Sequence, residues 1–338
     1  MTDPIAIAER GLARRTALRR LWSALGPFLV LIGVCAVLAL VVGEPFLAPN
    51  NLRNILVQTV IVAAGALGMT MIIVAGGIDL SSGSAIALTS VCAALALKDE
   101  HGPIAAIAAA IAAGATVGAV NGAAIAWLRL PPFIVTLGML GVARGLAKAL
   151  ADEQAVNFAP TWLDLLMRPI PRAADPAWIK ALAVAPGVWL IAVLAAAMIL
   201  LMRRSVFGRH LYAIGSNEAA ARLCGIRIER TKLELYALAG AFFGCAGLLM
   251  TARLRQGDPT TAMGLELDII AAVVIGGASL AGGVGSITGS LIGALIMAVL
   301  RNGSQQLGWP NYMQEIIIGA VIVVAVALDR LRQGRSRG

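Results

Sequence analysis

Charge is scarce in this sequence. Asp, Glu, Lys and Arg make up 13% of its 338 residues, about half the share of an ordinary soluble domain. Histidine is scarcer still: His101 and His210 are the only two, far apart in loops on opposite sides of the expected fold, so a histidine-based zinc centre is not expected. Of the four cysteines, Cys35, Cys92 and Cys245 fall in apolar runs and Cys224 in a polar loop. No pair suggests a disulfide or a metal site. The lysines Lys98, Lys148, Lys180 and Lys232 are never followed by Ser or Thr, which excludes a Walker A phosphate loop. The stretch GGVGSITG at 282–289 is glycine-rich, but it misses the G-x-G-x-x-G spacing and follows no expected strand. Any ATP used by this protein is hydrolysed by another chain.

What is abundant is apolar sequence. Hydrophobic residues reach 59%, mean hydropathy is +0.86, and runs of about 20 apolar residues, enough to cross a bilayer as a helix, recur from end to end. The expected fold is an all-α polytopic membrane protein with about ten transmembrane helices, over 22–43, 55–76, 82–97, 103–127, 133–150, 179–202, 232–252, 266–281, 286–304 and 312–329. Residues 22–329 form the transmembrane domain, between a basic segment at 1–21 and a basic tail at 330–338. The first run outlasts the roughly 7–15 residues of a signal-peptide core and reads as an uncleaved anchor.

The net charge of +9 does not point to nucleic acid. With the N-terminus inside, the ten spans leave 17 of the 27 Lys and Arg on the cytoplasmic side, including both termini, and 8 outside. That asymmetry is the positive-inside pattern of a multi-pass inner-membrane protein. Residues 151–178 then form a periplasmic loop, with Trp162 and Trp178 suited to the interface, and 203–231 the one sizeable cytoplasmic loop. At 129–133 the sequence RLPPF places Pro131 and Pro132 where they open a helix.

Glycine patterns mark organisation. GGIDLSSG at 76–83 and GGASLAGG at 276–283 share G-G-x-x-L-x-x-G, 200 residues apart, each where one helix ends and the next begins. Paired glycine-interrupted helices point to a transport pathway and to a pseudo-repeat of two halves. Gly114, Gly118 and Gly122, the series Gly285, Gly289 and Gly293, and the pair Gly240 and Gly244 have the spacing that lets helix backbones approach closely in a membrane.

Three polar stretches remain. In VAGGIDLSSGSA, 74–85, an aspartate follows two glycines at the edge of an apolar run, where mid-bilayer placement costs about 2.5–3.5 kcal/mol. Gly76 and Gly77 end a helix, and Asp79 or Ser81, with Ser82 and Ser84 nearby, can cap the next one at a cytoplasmic turn, where the acid caps, pairs or meets solvent. A second, compatible reading makes Gly76, Gly77, Asp79, Ser81 and Ser84, with Gly276 and Gly277, part of a gate on the translocation path, with Asp79 contacting a partner or a neighbouring helix. In YAIGSNEAAARLCGI, 212–226, Ser216 or Asn217 caps a short helix, Glu218 occupies its first turn and Gly225 closes it. Two turns of helix have little stability alone, so the face of Ala219, Ala220 and Ala221 is expected to dock on a partner; lying on the membrane surface is the alternative. Glu266 and Asp268 stand at the outer start of the eighth span, either as helix-dipole partners or lining an outer vestibule. Asn121, Arg144, Arg301, Asn302 and Gln305 are polar groups within or near span ends with no individual assignment.

With those segments, and with PPFIVTLGMLGVARGLA (131–147) and ELDIIAAVVIGGASLAGGVGSITGSLIGALI (266–296), the chain resembles the membrane permease subunits of bacterial ATP-binding cassette (ABC) sugar importers of the ribose/xylose/arabinose/galactose type. The resemblance runs from about residue 50 to 329. It implies a dimer of permeases, two cytoplasmic ATPase subunits that bind the ATP and magnesium, and a periplasmic sugar-binding protein. By the same resemblance, Gly215, Asn217, Glu218, Ala220, Ala221 and Gly225 belong to a coupling helix seated in the ATPase. Ser82 and Cys224 stand where Val and Ser are common in such permeases. A permease of the same family for a nucleoside or a branched-chain amino acid is the alternative. An ion-coupled carrier needs an ionisable group in mid-membrane, and the expected spans hold hardly any carboxylate away from their ends. An intramembrane enzyme needs a nucleophile with a base, and no such pair exists.

Overall fold

The computed structural model describes residues 26–168 and 183–334. The N-terminal segment 1–21, part of the loop at 151–178, and the last residues of the tail lie outside that range. Along the chain come α1 (Gly26–Val42), α2 (Glu44–Leu47), α3 (Pro49–Val74), α4 (Ser82–Lys98), α5 (Gly102–Trp127), α6 (Pro132–Leu150) and β1 (Val156–Asn157). After a 3-10 turn at Trp162–Met167 follow α7 (Pro186–Arg204), α8 (Val206–Ser216), α9 (Glu218–Leu223), α10 (Ile228–Leu254), β2 (Gln256–Gly257), α11 (Leu265–Ile275), α12 (Ile287–Gln306) and α13 (Asn311–Gly334). Proline occupies the first or second position of α3, α5, α6 and α7, where its missing amide costs nothing. The only sheet is the antiparallel ribbon pairing Val156 with Gly257 and Asn157 with Gln256, among the described residues.

Six described helices are long and apolar enough to cross a membrane: α3, α5, α6, α7, α10 and α12. α1 and α4 are shorter apolar helices. Burial separates their roles. The most apolar stretch of α3 is 83% buried and that of α6 only 17%, so α3 forms the centre of the bundle while α6 turns most of its apolar surface outward, as a lipid-facing helix does. The protein is a multi-pass, all-α membrane protein.

The glycine spacing is used as expected. A Cβ at Gly118 would collide with the carbonyl oxygen of Tyr236, and Gly114 and Gly240 meet backbone to backbone, so α5 and α10 pack at a distance that alanine would not allow. Gly293 packs in the same way on Ala272, and Gly289 on Gly276. These contacts bring α12 against α11.

The eighth expected span, 266–281, is corrected by the structure. The helix there ends at Ile275 after 11 residues, about 16 Å at 1.5 Å per residue, roughly half a hydrocarbon core. Turns and irregular backbone occupy 276–286 instead. Such backbone is tolerated at membrane depth only inside protein or along a cavity.

Candidate functional site

The two glycine motifs form equivalent turns at the same end of the bundle. At the end of α3 the amides of Gly76 and Gly77 donate to the carbonyl oxygens of Ile73 and Ile72, both at 2.9 Å, with Gly76 at φ +83°. At the end of α11 the amides of Gly277 and Ala278 donate to Val274 and Val273 at 2.9 and 3.1 Å, with Gly277 at φ +92°. Both are glycine-closed C-caps. The structural match pairs Gly76 with Gly277, one residue away from the sequence match.

Gly215, near the end of α8, lies between the first of these turns and Gly282 and Gly283 in the loop after the second. A Cβ at Gly215 would strike the Val74 carbonyl oxygen and the Gly283 amide, and a Cβ at Gly282 would meet the Gly215 carbonyl oxygen first and Gly76 next. The Tyr212 hydroxyl donates to the Gly285 carbonyl at 2.9 Å. α8 is therefore seated on the last turn of α3 and on the loop that follows α11.

From Gly77 the chain turns back into the bundle. Asp79 is 1% exposed, and its Oδ1 accepts from the Ser81 amide at 2.8 Å and the Ser81 hydroxyl at 2.6 Å. Asn121 Nδ2 donates to Ser81 Oγ at 3.0 Å and approaches Asp79 Oδ2 at 3.5 Å. Asn121 is six residues from the end of α5, about 9 Å along the axis. Of the expected alternatives, Asp79 neither meets solvent nor caps α4, whose N-terminus has no side-chain cap bond; contact with a neighbouring helix is the one realised, through Asn121 of α5. The Asp79 carboxylate closes an aspartate turn on Ser81, because α4 begins inside the bundle rather than at its surface. Ser81, Ser82 and Ser84 are buried with it. The Tyr236 hydroxyl packs against Gly77, 2.5 Å from where a Cβ would sit.

α11 also begins inside. Glu266 extends over Gly83 in the first turn of α4, where a Cβ would overlap its carboxylate. Two helix N-termini thus meet at the Glu266 carboxylate, which their dipoles favour. Asp268 is 1% exposed and forms an ion pair with Arg301 of α12. Arg144 of α6 donates to the main-chain oxygens of Pro259 and Thr261, at 2.7 and 2.6 Å, and so holds the segment that leads down into α11. Glu266 and Asp268 do occupy the first turn of a helix, as expected. The difference is depth: Asp79 and Asp268 both stand at helix ends, and those ends are buried.

At the same end as the glycine turns, α9 stands out from the bundle. Asn217 caps it through its Oδ1, which accepts from the Ala220 amide at 3.0 Å. Gly225, at φ +83°, closes it as the Ile226 amide donates to Ala221 O at 3.2 Å. Glu218 pairs with Lys232 at 2.8 Å and Arg222 with Glu229 at 2.6 Å, fixing α9 to the start of α10. The small-residue face is split: Ala219 and Ala220 are exposed, while Ala221 is buried against Ile214 and Ile228. Successive residues of a helix point about 100° apart, so three consecutive alanines do not share one face. Leu223 carries the outward apolar surface at 89% exposure. Its sequence signal was a lone leucine in a short polar helix.

Membrane-crossing helices, two helices that start in the interior and a short helix standing out at one end define a polytopic membrane protein with an interrupted, polar centre. Residues 51–326 match the family described as branched-chain amino acid transport system / permease component, and the chain belongs to that permease family. It is 41% identical over 309 residues to the ribose import permease protein RbsC of Escherichia coli strain K12, covering 90% of this chain and 92% of the relative. Identity is 34% to the L-arabinose ABC transporter permease protein AraH of Azospirillum brasilense, covering 92% and 89%. It is also 34% to the D-allose transport system permease protein AlsC of Escherichia coli strain K12, covering 92% of each chain. No solved structure matches the chain.

Proposed function

We propose that this chain is the membrane-spanning subunit of an ABC importer that moves a ribose-like monosaccharide across the inner membrane. The observation that carries the reading is identity to a ribose import permease over nine-tenths of both chains. On this reading separate ATPase subunits bind ATP and magnesium, a periplasmic binding protein delivers the sugar, and a second permease completes a homodimer. The arginine-rich end, with α8 and α9, faces the cytoplasm along with both termini, by the positive-inside rule. The loop at 151–178 faces the periplasm.

The coupling segment comprises Gly215, Asn217, Glu218, Ala220, Ala221 and Gly225, with Leu223 as its apolar contact. ATPase closure moves α8 and α9, and through Gly215 and Tyr212 the displacement reaches both glycine turns. Gly76, Gly77, Asp79, Ser81 and Ser84, with Gly276 and Gly277, then act as the gate. Glu266 and Asp268 line the path further along. The two interior carboxylates are what an ion-coupled carrier would need, yet Asp268 is paired with Arg301 and Asp79 is bonded to Ser81. A branched-chain amino acid is the second reading for the substrate, favoured by the description of the family.

The test is a mild-detergent pull-down from native membranes, comparing wild type with Leu223→Asp. Leu223 suits it because Glu218 is engaged with Lys232. A P-loop ATPase recovered with wild type and lost with the variant is the expected result. A folded wild-type sample that brings down no ATPase sinks the importer reading.

A further inference from the structure

A polar cavity of about 150 Å³ lies between α3, α10, α11 and α12, with room for about five waters at liquid density. Its polar groups are Gln58, Arg253, Asp268, Arg301 and Gln305, over an apolar floor that includes Met297. Arg253 and Gln305 come from the last turns of α10 and α12, at the end that carries the β1–β2 ribbon. Asp268 is buried in the first turn of the half-helix α11.

Two acceptors here are buried without a hydrogen-bond donor among the described residues: Asp268 Oδ1 and Gln58 Oε1. Asp268 Oδ2 is taken by Arg301, and Gln58 Nε2 reaches Gln305 Oε1 only at 3.5 Å. A buried polar atom left in this state costs about 1–3 kcal/mol, so the cavity is built for something that donates.

Charge and donor count select the occupant. Two guanidinium groups against one carboxylate disfavour a cation. A fully ionised anion satisfies the arginines but brings no hydrogen for Asp268 Oδ1 or Gln58 Oε1. A neutral polyol both donates and accepts at every hydroxyl, and its C–H surface suits Met297. We propose that this cavity is a monosaccharide subsite on the translocation path, where Asp268 Oδ1 and Gln58 Oε1 accept from sugar hydroxyls and Arg253 donates to another. The proposal rests on the reading of the chain as a sugar permease, and adds where the sugar pauses. The first turn of the half-helix α11 lines this cavity through Leu265 and Asp268, and discontinuous helices build the substrate sites of many secondary transporters.

The test places a reporter at the mouth as Gln305→Cys, in the complete transporter in its native membrane. Peptide mass spectrometry reads N-ethylmaleimide modification at position 305, with and without D-ribose, L-arabinose, D-xylose or inorganic phosphate. Sugar uptake by the same cells is measured in parallel. At least one sugar is expected to slow modification, and Asp268→Asn is expected to weaken that protection about tenfold, the loss of one hydrogen bond to a charged acceptor. If Asp268→Asn fails to accumulate, Gln58→Leu, which leaves the ion pair intact, takes its place. Unprotected modification in membranes that do take up sugar through this chain overturns the subsite and leaves the import reading standing. Protection by phosphate alone overturns it in favour of an anion site. Protection by a sugar without uptake supports the cavity and counts against import.

Discussion

The amide of Gly283 donates to the carbonyl oxygen of Val74 at 2.8 Å. This one bond joins the loop after α11 to the last residue of α3, and it satisfies a helix-end carbonyl that would otherwise lack an intrahelical partner. Gly215 packs directly on both atoms of this bond. Gly215→Ala is therefore expected to force these backbones apart, at about 1–3 kcal/mol, the usual cost of overpacking. A lower thermal midpoint of the purified protein, together with reduced uptake, is the outcome to look for; unchanged values in both would show that the contact has slack.

Asp79→Leu removes the acceptor for the Ser81 amide and hydroxyl in a site without water access, a loss of about 1–3 kcal/mol. Asp79→Asn keeps one acceptor oxygen and is expected to be milder. Insertion is expected to be unaffected in both, because Asp79 lies between helices and not in a span. Membrane abundance, thermal stability and uptake measured side by side separate these effects. Wild-type uptake by a normally expressed Leu variant removes Asp79 from the gate.

Arg301→Ala leaves Asp268 buried and unpaired. Loss of a partner from a buried pair costs about 3–5 kcal/mol, and less is expected here because the Arg301 side chain is 40% exposed. Adding Asp268→Asn to Arg301→Ala is expected to restore much of the stability, since the buried charge is then gone. A double-mutant cycle on thermal midpoints measures the coupling; simple additivity would contradict the pairing.

Much of the architecture was legible in the sequence because membrane-crossing helices announce themselves by length and apolar content. The four-residue glycine spacing of Gly114, Gly118 and Gly122 led correctly to close packing, and Asn217 and Gly225 cap α9 as their residue types require. The half-helix was hidden because hydropathy counts apolar atoms and not hydrogen bonds. The segment IGGASLAGGVGSI is as apolar as a helix, and only its adjacent glycines signalled the break. Asp268 and Arg301 lie 33 residues apart on different helices, so no local pattern reveals that they meet. For Asp79 the sequence left capping, pairing and solvent open, because a turn between spans is normally at the surface; here the turn folds inward, and Asn121, 42 positions later in the chain, supplies the polar neighbour.

The hold of Arg144 on the segment before α11 is indifferent to what side chains that segment carries. Both of its hydrogen bonds end on main-chain oxygens, at Pro259 and Thr261, so replacing Thr261 leaves them in place while replacing Arg144 removes both at once. The freedom of the entrance to α11 is thus governed from a position 115 residues away from Pro259, on the helix with the least buried apolar surface of those that cross the membrane. A tilt of that outer helix would reach the entrance to α11 directly through this side chain.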